Sequence, residues 1–147
     1  MKSNRKTRVM IKFVLISIKM KVFHSLDTIG KINNPVLTIG TFDGVHLGHQ
    51  KILKKLVEQA KKINGESVLL TFYPHPRMVL YPENHGLELI QTQEEKLDSL
   101  EKTGLDNVVI LPFSKEFSRI SAWDFVRYIL INAFNIQFLK EILSSLK

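Results

Sequence analysis

The stretch TIGTFDGVHLGHQKIL, Thr38–Leu53, decides how the rest of the chain is read. The breaker Asn34-Pro35 precedes it, and Val36, Leu37 and Ile39 then make a short apolar run suited to a buried strand. From Leu47 the period changes. Ile52, Leu53, Leu56, Val57 and Ala60 recur at helical spacing as one apolar stripe, and Lys51, Lys54, Lys55, Lys61 and Lys62 fall off it. Asn64-Gly65 stops the helix with a pair that accepts left-handed dihedrals. SVLLTF, Ser67–Phe72, is a second short apolar run. Strand, glycine-rich turn, helix and strand make a βαβ unit, whose right-handed crossover leaves the strands parallel.

The alternation continues. TQEE, Thr92–Glu95, has capping-box spacing, with Thr92 as N-cap and Glu95 three residues on. It predicts a helix over 93–103 with Gly104 as its stop. NVVIL, Asn107–Leu111, reads as a third strand. SAWD, Ser121–Asp124, reads as a capped start to a helix over 122–134. The expected fold is α/β, three layers around a parallel sheet, with strands near 36–41, 67–72 and 107–111. Ligands in such folds sit at the carboxyl ends of the strands. The first strand ends at the opening stretch.

Gly40 and Gly44 let the backbone approach a ligand closely. The following helix offers unpaired N–H groups and the positive end of its dipole, a site for phosphate. His46 and His49 flank Gly48, so both imidazoles are expected to face one cavity at the helix start. Each can donate to a phosphate oxygen, and an imidazole can carry a proton near neutral pH. Phosphoryl or nucleotidyl transfer asks mainly for donors fixed around developing charge. Blander readings stand beside this one. A glycine-rich turn can be only a turn, and Asp43 only a turn residue or cap. Two histidines three apart can also bind metal, but no third ligand is evident, and no metal site is assigned.

Composition narrows the classes. The chain has 147 residues, 44% of them hydrophobic and 24% charged, ordinary for one globular domain. It has no cysteine, which excludes a disulfide scaffold and cysteine-ligated metal, and is compatible with the cytoplasm. The net charge of +7 is local. Residues 1–21 hold seven Lys/Arg and no acid, whereas the remainder holds 14 Lys/Arg and 14 Asp/Glu. A basic tail can be a nucleic-acid arm or a targeting segment, or a passive extension. VMIKFVLISI, Val9–Ile18, is ten residues with Lys12 inside, too short for a span of about 20. Neither a nucleic-acid nor a membrane partner is expected, and composition sets no oligomeric state.

The composite GTFDGVHLGH (Gly40–His49) resembles the first signature of the FMN adenylyltransferase module in the prokaryotic bifunctional riboflavin kinase/FAD synthetases. It contains the HxGH element of the wider nucleotidyltransferase superfamily. LLTFYPHP (Leu69–Pro76), LIQTQEEKLDSLEKTGLDNVVILPF (Leu89–Phe113) and FSRISAWDFVRYIL (Phe117–Leu130) match the same family in order. The resemblance implies a Rossmann-like nucleotidyltransferase fold. It implies ATP and FMN as substrates, FAD and pyrophosphate as products, and help from magnesium. It implies that His46 and His49, with Gly48 between them, contact the ATP phosphates and stabilise the transferring group. It implies that Gly40, Thr41, Phe42, Asp43 and Gly44 shape the nucleotide pocket. It places His75 in a loop beside that pocket, where a proline-rigidified turn is the alternative role.

The likeness runs from about Met20 to Ile136. Residues 1–19 are expected to be a basic extension, 20–136 a partial adenylyltransferase domain, and 137–147 a tail outside the family pattern. The family's later nucleotide-clamping elements and its kinase barrel have no counterpart here. The expectation is therefore a C-terminally incomplete sheet with an open edge and an uncovered apolar face. Little FAD formation and no riboflavin kinase activity follow from it. The alternative function is a non-catalytic nucleotide-binding or interaction remnant.

Overall fold

The structure, a computed structural model, describes residues 19–83 and 88–136. Most of the basic extension and the whole of the 137–147 tail lie outside the described residues. Four strands form one parallel sheet: β1 (Lys21–Phe23), β2 (Val36–Ile39), β3 (Ser67–Tyr73) and β4 (Asn107–Pro112), in the order β1-β4-β3-β2. Val36 pairs with Ser67, and Val68 with Asn107, so the three strands expected from the sequence share one sheet. The short β1 is an addition to that expectation.

Helix α1 (Leu47–Lys62) makes the crossover from β2 to β3. It ends where Asn64 takes φ +51° and where a side chain on Gly65 would meet the Asn34 carbonyl at 2.1 Å. Helices α2 (Pro76–Leu80) and α3 (Gln93–Glu101) lie between β3 and β4. The capping box of α3 is complete. Glu95 N donates to Thr92 Oγ1 at 3.2 Å, and Thr92 N donates to Glu95 Oε2 at 2.8 Å. Gly104 follows at φ +81°. After β4, α4 (Ala122–Asp124) is capped by Ser121 and runs into a wide π-helical stretch, Phe125–Ala133. That widening replaces the regular helix expected over 122–134.

Alternation along β3 and β4 sorts the core onto two faces. Leu69, Val108 and Ile110 pack with Leu53, Leu56 and Leu100 from α1 and α3. Val68, Leu70, Val109 and Leu111 pack on the other face with Ile129 and Phe134. The result is three layers, helix–sheet–helix. One expectation needs correction: Ile52 is 50% exposed, while its neighbour Leu53 is fully buried. The stripe of α1 is narrower than the periodicity suggested.

A polar knot ties the amino ends of the strands. Asp106 Oδ2 accepts from the Ser67 amide at 2.8 Å and from its hydroxyl at 2.6 Å. Burial pushes the Glu66 carboxyl upward, but hydrogen bonds from Asn33 N and Asn107 Nδ2 and the nearby Lys21 ammonium prevail and hold it below its usual range. The carboxyl ends stay free for the site. Among the described residues β2 pairs only with β3, and its other edge borders an apolar groove lined by Leu37, Ile39, Leu130 and Ile136.

Candidate functional site

The site is built where β2 stops. Gly40 N still donates to Leu70 O at 3.0 Å, and the chain then turns sharply. Phe42 takes φ +50°, Gly44 +76° and Val45 +33°. Phe42 and Val45 are buried, which anchors both ends of the turn. A Cβ on Gly40 would come within 2.6 Å of the Phe42 ring, so glycine is what lets that ring fold back.

Gly44 permits the left-handed backbone and the close approach of Ile90, whose Cδ1 lies 3.0 Å from where a Cβ would stand. Asp43 is neither a bare turn residue nor a cap of α1. Its Oδ2 accepts from the Ile90 amide at 3.1 Å, across the mouth of the sheet.

His46 and His49 come together as a stack, with ring centroids 3.7 Å apart and planes 21° from parallel. Phe42 flanks the His49 ring at 4.7 Å. His46 is the N-cap of α1. Its Nδ1 accepts from Gly48 N at 3.1 Å and His49 N at 3.4 Å. This corrects the expectation of vacant helix amides, because the His46 ring already satisfies two of them. Nδ1 as acceptor leaves the ring proton on Nε2, a donor free to reach a ligand. Burial holds the His49 pKa below its ordinary value, with His46 and Lys96 adding to the effect and Asp43 opposing it.

A cavity of about 260 Å³ opens beside the turn, at the carboxyl ends of β2 and β3. Thr41, Asp43, His75, Gln91 and Lys96 supply its polar wall. His46 and His49 are not part of that wall; the two expected to face one cavity stack against each other instead. His75 has two structural places. It lines the cavity, and its Nδ1 caps α2 by accepting from Arg77 N at 3.2 Å. Its pKa is held down by burial first, with Asp43 opposing and Lys96 and Arg77 reinforcing. Gly40, Phe42, Gly44 and Gly48 shape the turn and cap rather than the wall.

Sequence reasoning missed Lys96. It is 8% exposed, and its Nζ donates to the Thr41 carbonyl and, at 3.0 Å, to Thr71 Oγ1. Burial lowers its pKa, and Asp43 opposes that shift. The available signal was its place four residues before Leu100, on the inward face of α3. Gln91 Oε1 is buried and without a partner in the same wall.

The sequence profile of FAD synthetase matches residues 29–140. The chain belongs to the FAD synthetase family. Among similar proteins of this family are bifunctional riboflavin kinase/FMN adenylyltransferases. The one from Buchnera aphidicola subsp. Schizaphis graminum is 38% identical over 121 residues, covering 82% of this chain and 38% of the relative. The one from Listeria monocytogenes is 37% identical, covering 67% and 31%. That from Escherichia coli K12 is 34% identical, covering 71% and 33%. The chain thus spans little more than a third of the length of the first of these relatives. A solved structure titled as a macrolide-efflux protein from Streptococcus pneumoniae aligns with TM-score 0.65 and 26% identity, over 79% of this chain and 38% of that one. The fold is the Rossmann-like nucleotidyltransferase type. No helix among the described residues is long and apolar enough to cross a membrane.

Proposed function

We propose that this chain is an FMN adenylyltransferase module. An oxygen of the FMN phosphate attacks the α-phosphorus of ATP, the bond from that phosphorus to the β-phosphate bridging oxygen breaks, and FAD and pyrophosphate result. The observation that carries this reading is the stacked His46–His49 pair at the start of α1, beside a polar cavity, in a chain of the FAD synthetase family.

The nucleophile is ionised at neutral pH, so no strong general base is needed. The demands are alignment and neutralisation of charge. The His46 Nε2–H is the donor aimed at the phosphates, and His49 packs behind it to fix the ring. Thr41, Asp43 and His75 line the space beside the reacting groups. Magnesium fits as the companion of ATP. One carboxylate, Asp43, lines the cavity, and this ion commonly takes one or two carboxylates together with substrate phosphates. It would supply neutralisation of phosphate charge. A cytoplasmic location, where ATP and FMN are at hand, suits the proposed reaction, which needs no nucleic-acid partner.

The test is to incubate the purified chain with magnesium, ATP and FMN and follow FAD by chromatography, with ATP binding measured by calorimetry. Expected are ATP binding and a low rate of FAD formation, the latter cut at least tenfold further by His49→Ala. ATP binding without FAD supports the non-catalytic remnant instead. Loss of both overturns the nucleotide reading.

A further inference from the structure

The turn after β2 is costly in itself. Phe42 and Val45 carry positive φ, which bulky and β-branched residues avoid. Such a backbone persists only where its surroundings over-determine it. Part of that comes from the burial of Phe42 and Val45 and from the Asp43–Ile90 hydrogen bond. The remainder comes from Lys96. Its ammonium reaches from α3, through the core, to the carbonyl of Thr41, the residue before the strained run. Thr71, fully buried on β3, also donates to that carbonyl at 3.4 Å and accepts from Lys96. Side chains from two elements, α3 and β3, therefore converge on one carbonyl.

An ammonium buried this way is weak evidence for stability, because desolvation offsets its hydrogen bonds. Its best-attested use is to specify a conformation. We propose that Lys96 is a positioning residue: by holding the Thr41 carbonyl it fixes the Thr41–Val45 turn, and so sets Asp43 and the His46–His49 pair for adenylyl transfer. The last step rests on the adenylyltransferase reading; the hold on the turn does not.

Lys96→Met keeps most of the side chain's length and removes the ammonium donor. The measurements are amide hydrogen exchange, denaturation midpoint and steady-state FAD formation on the whole chain. Expected is exchange at least tenfold faster at Val45 and Ile90, the amides bonded within and to the turn, with Leu70 and Val109 in the sheet unchanged. Per folded molecule, kcat falls at least tenfold while KM for FMN moves less than about threefold. A merely structural lysine would move the midpoint and leave that split unaltered. Wild-type exchange at Val45 and Ile90 in the folded variant overturns the proposal.

Should Lys96→Met fail to fold, Thr71→Val and Thr71→Ser replace it. The first removes the hydroxyl, and the second restores it. Faster exchange in Val that reverts in Ser is expected, and equal exchange in both overturns the proposal. If the wild-type chain makes no FAD, the adenylyltransferase reading fails, and the exchange measurement decides the role of Lys96 alone.

Discussion

The imidazoles of His46 and His49 lie face to face, 3.7 Å between centroids, while the Nδ1 of the first caps the helix that carries the second. One side chain thus both starts α1 and offers a donor to ligand. These two duties can be separated by substitution.

His46→Ala removes both. By analogy with other N-caps, the loss is about 1 kcal/mol of stability. His46→Asn keeps an acceptor for the Gly48 and His49 amides and should recover most of that loss. Neither variant should recover FAD formation, because neither presents a ring N–H. Denaturant unfolding alongside the FAD assay checks this, and activity in the Asn variant would refute the division.

Stability should fall in mild acid. His49 and His75 both have native pKa values below the ordinary 6.5, burial being the largest cause in each. The unfolded chain therefore binds protons that the native state refuses. Their share of stability is complete above about pH 6.5, is lost as pH drops from there towards the native pKa values, and changes no further below them. Denaturation midpoints between pH 8 and 5 should show this, and His49→Gln should flatten the slope. An unchanged slope in that variant would exclude His49 as a contributor.

Gly44→Ala should cost about 1–2 kcal/mol for the left-handed backbone alone. Its Cβ would also press on Ile90, 3.0 Å away. Gly40→Ala acts by another route, pushing the Phe42 ring, and should weaken ATP binding more than it lowers stability. Calorimetric ATP titration and unfolding of the two variants together test the distinction.

On α1, Leu53→Ala should cost about 2–5 kcal/mol, because the side chain is fully buried between helix and sheet. Ile52→Ala should stay within about 0.5 kcal/mol, as its side chain is half exposed. Equal costs would restore the wider stripe that periodicity implied.

The βαβ unit was legible because the hydrophobic period switches at the glycines, and local patterns settle local structure. The Thr92–Glu95 box was legible for the same reason. β1 was not, since three residues give too little alternation to read. The His46 cap was hidden because histidine is outside the usual N-cap set of Ser, Thr, Asp and Asn. Lys96 was hidden because a lysine on a helix normally reads as solvated, and only the tertiary packing of α3 shows that this one points inward. The contact of Asp43 with Ile90 joins residues 47 apart, and nothing local announces it.

That last contact bears on transplantation. GTFDGVHLGH behaves on paper as a cassette, with its histidines and glycines in ten consecutive residues. Grafted behind a parallel strand of another scaffold, it would carry the cap and the stacked rings. It would leave behind the amide that Asp43 engages, the Ile90 side chain against Gly44 and the ammonium on Thr41. Its strained turn would relax, and Asp43 would swing free. The smallest transferable unit is a pair of segments, residues 40–49 together with 89–96, joined by Thr71 of β3 and held at the spacing that the sheet between them imposes.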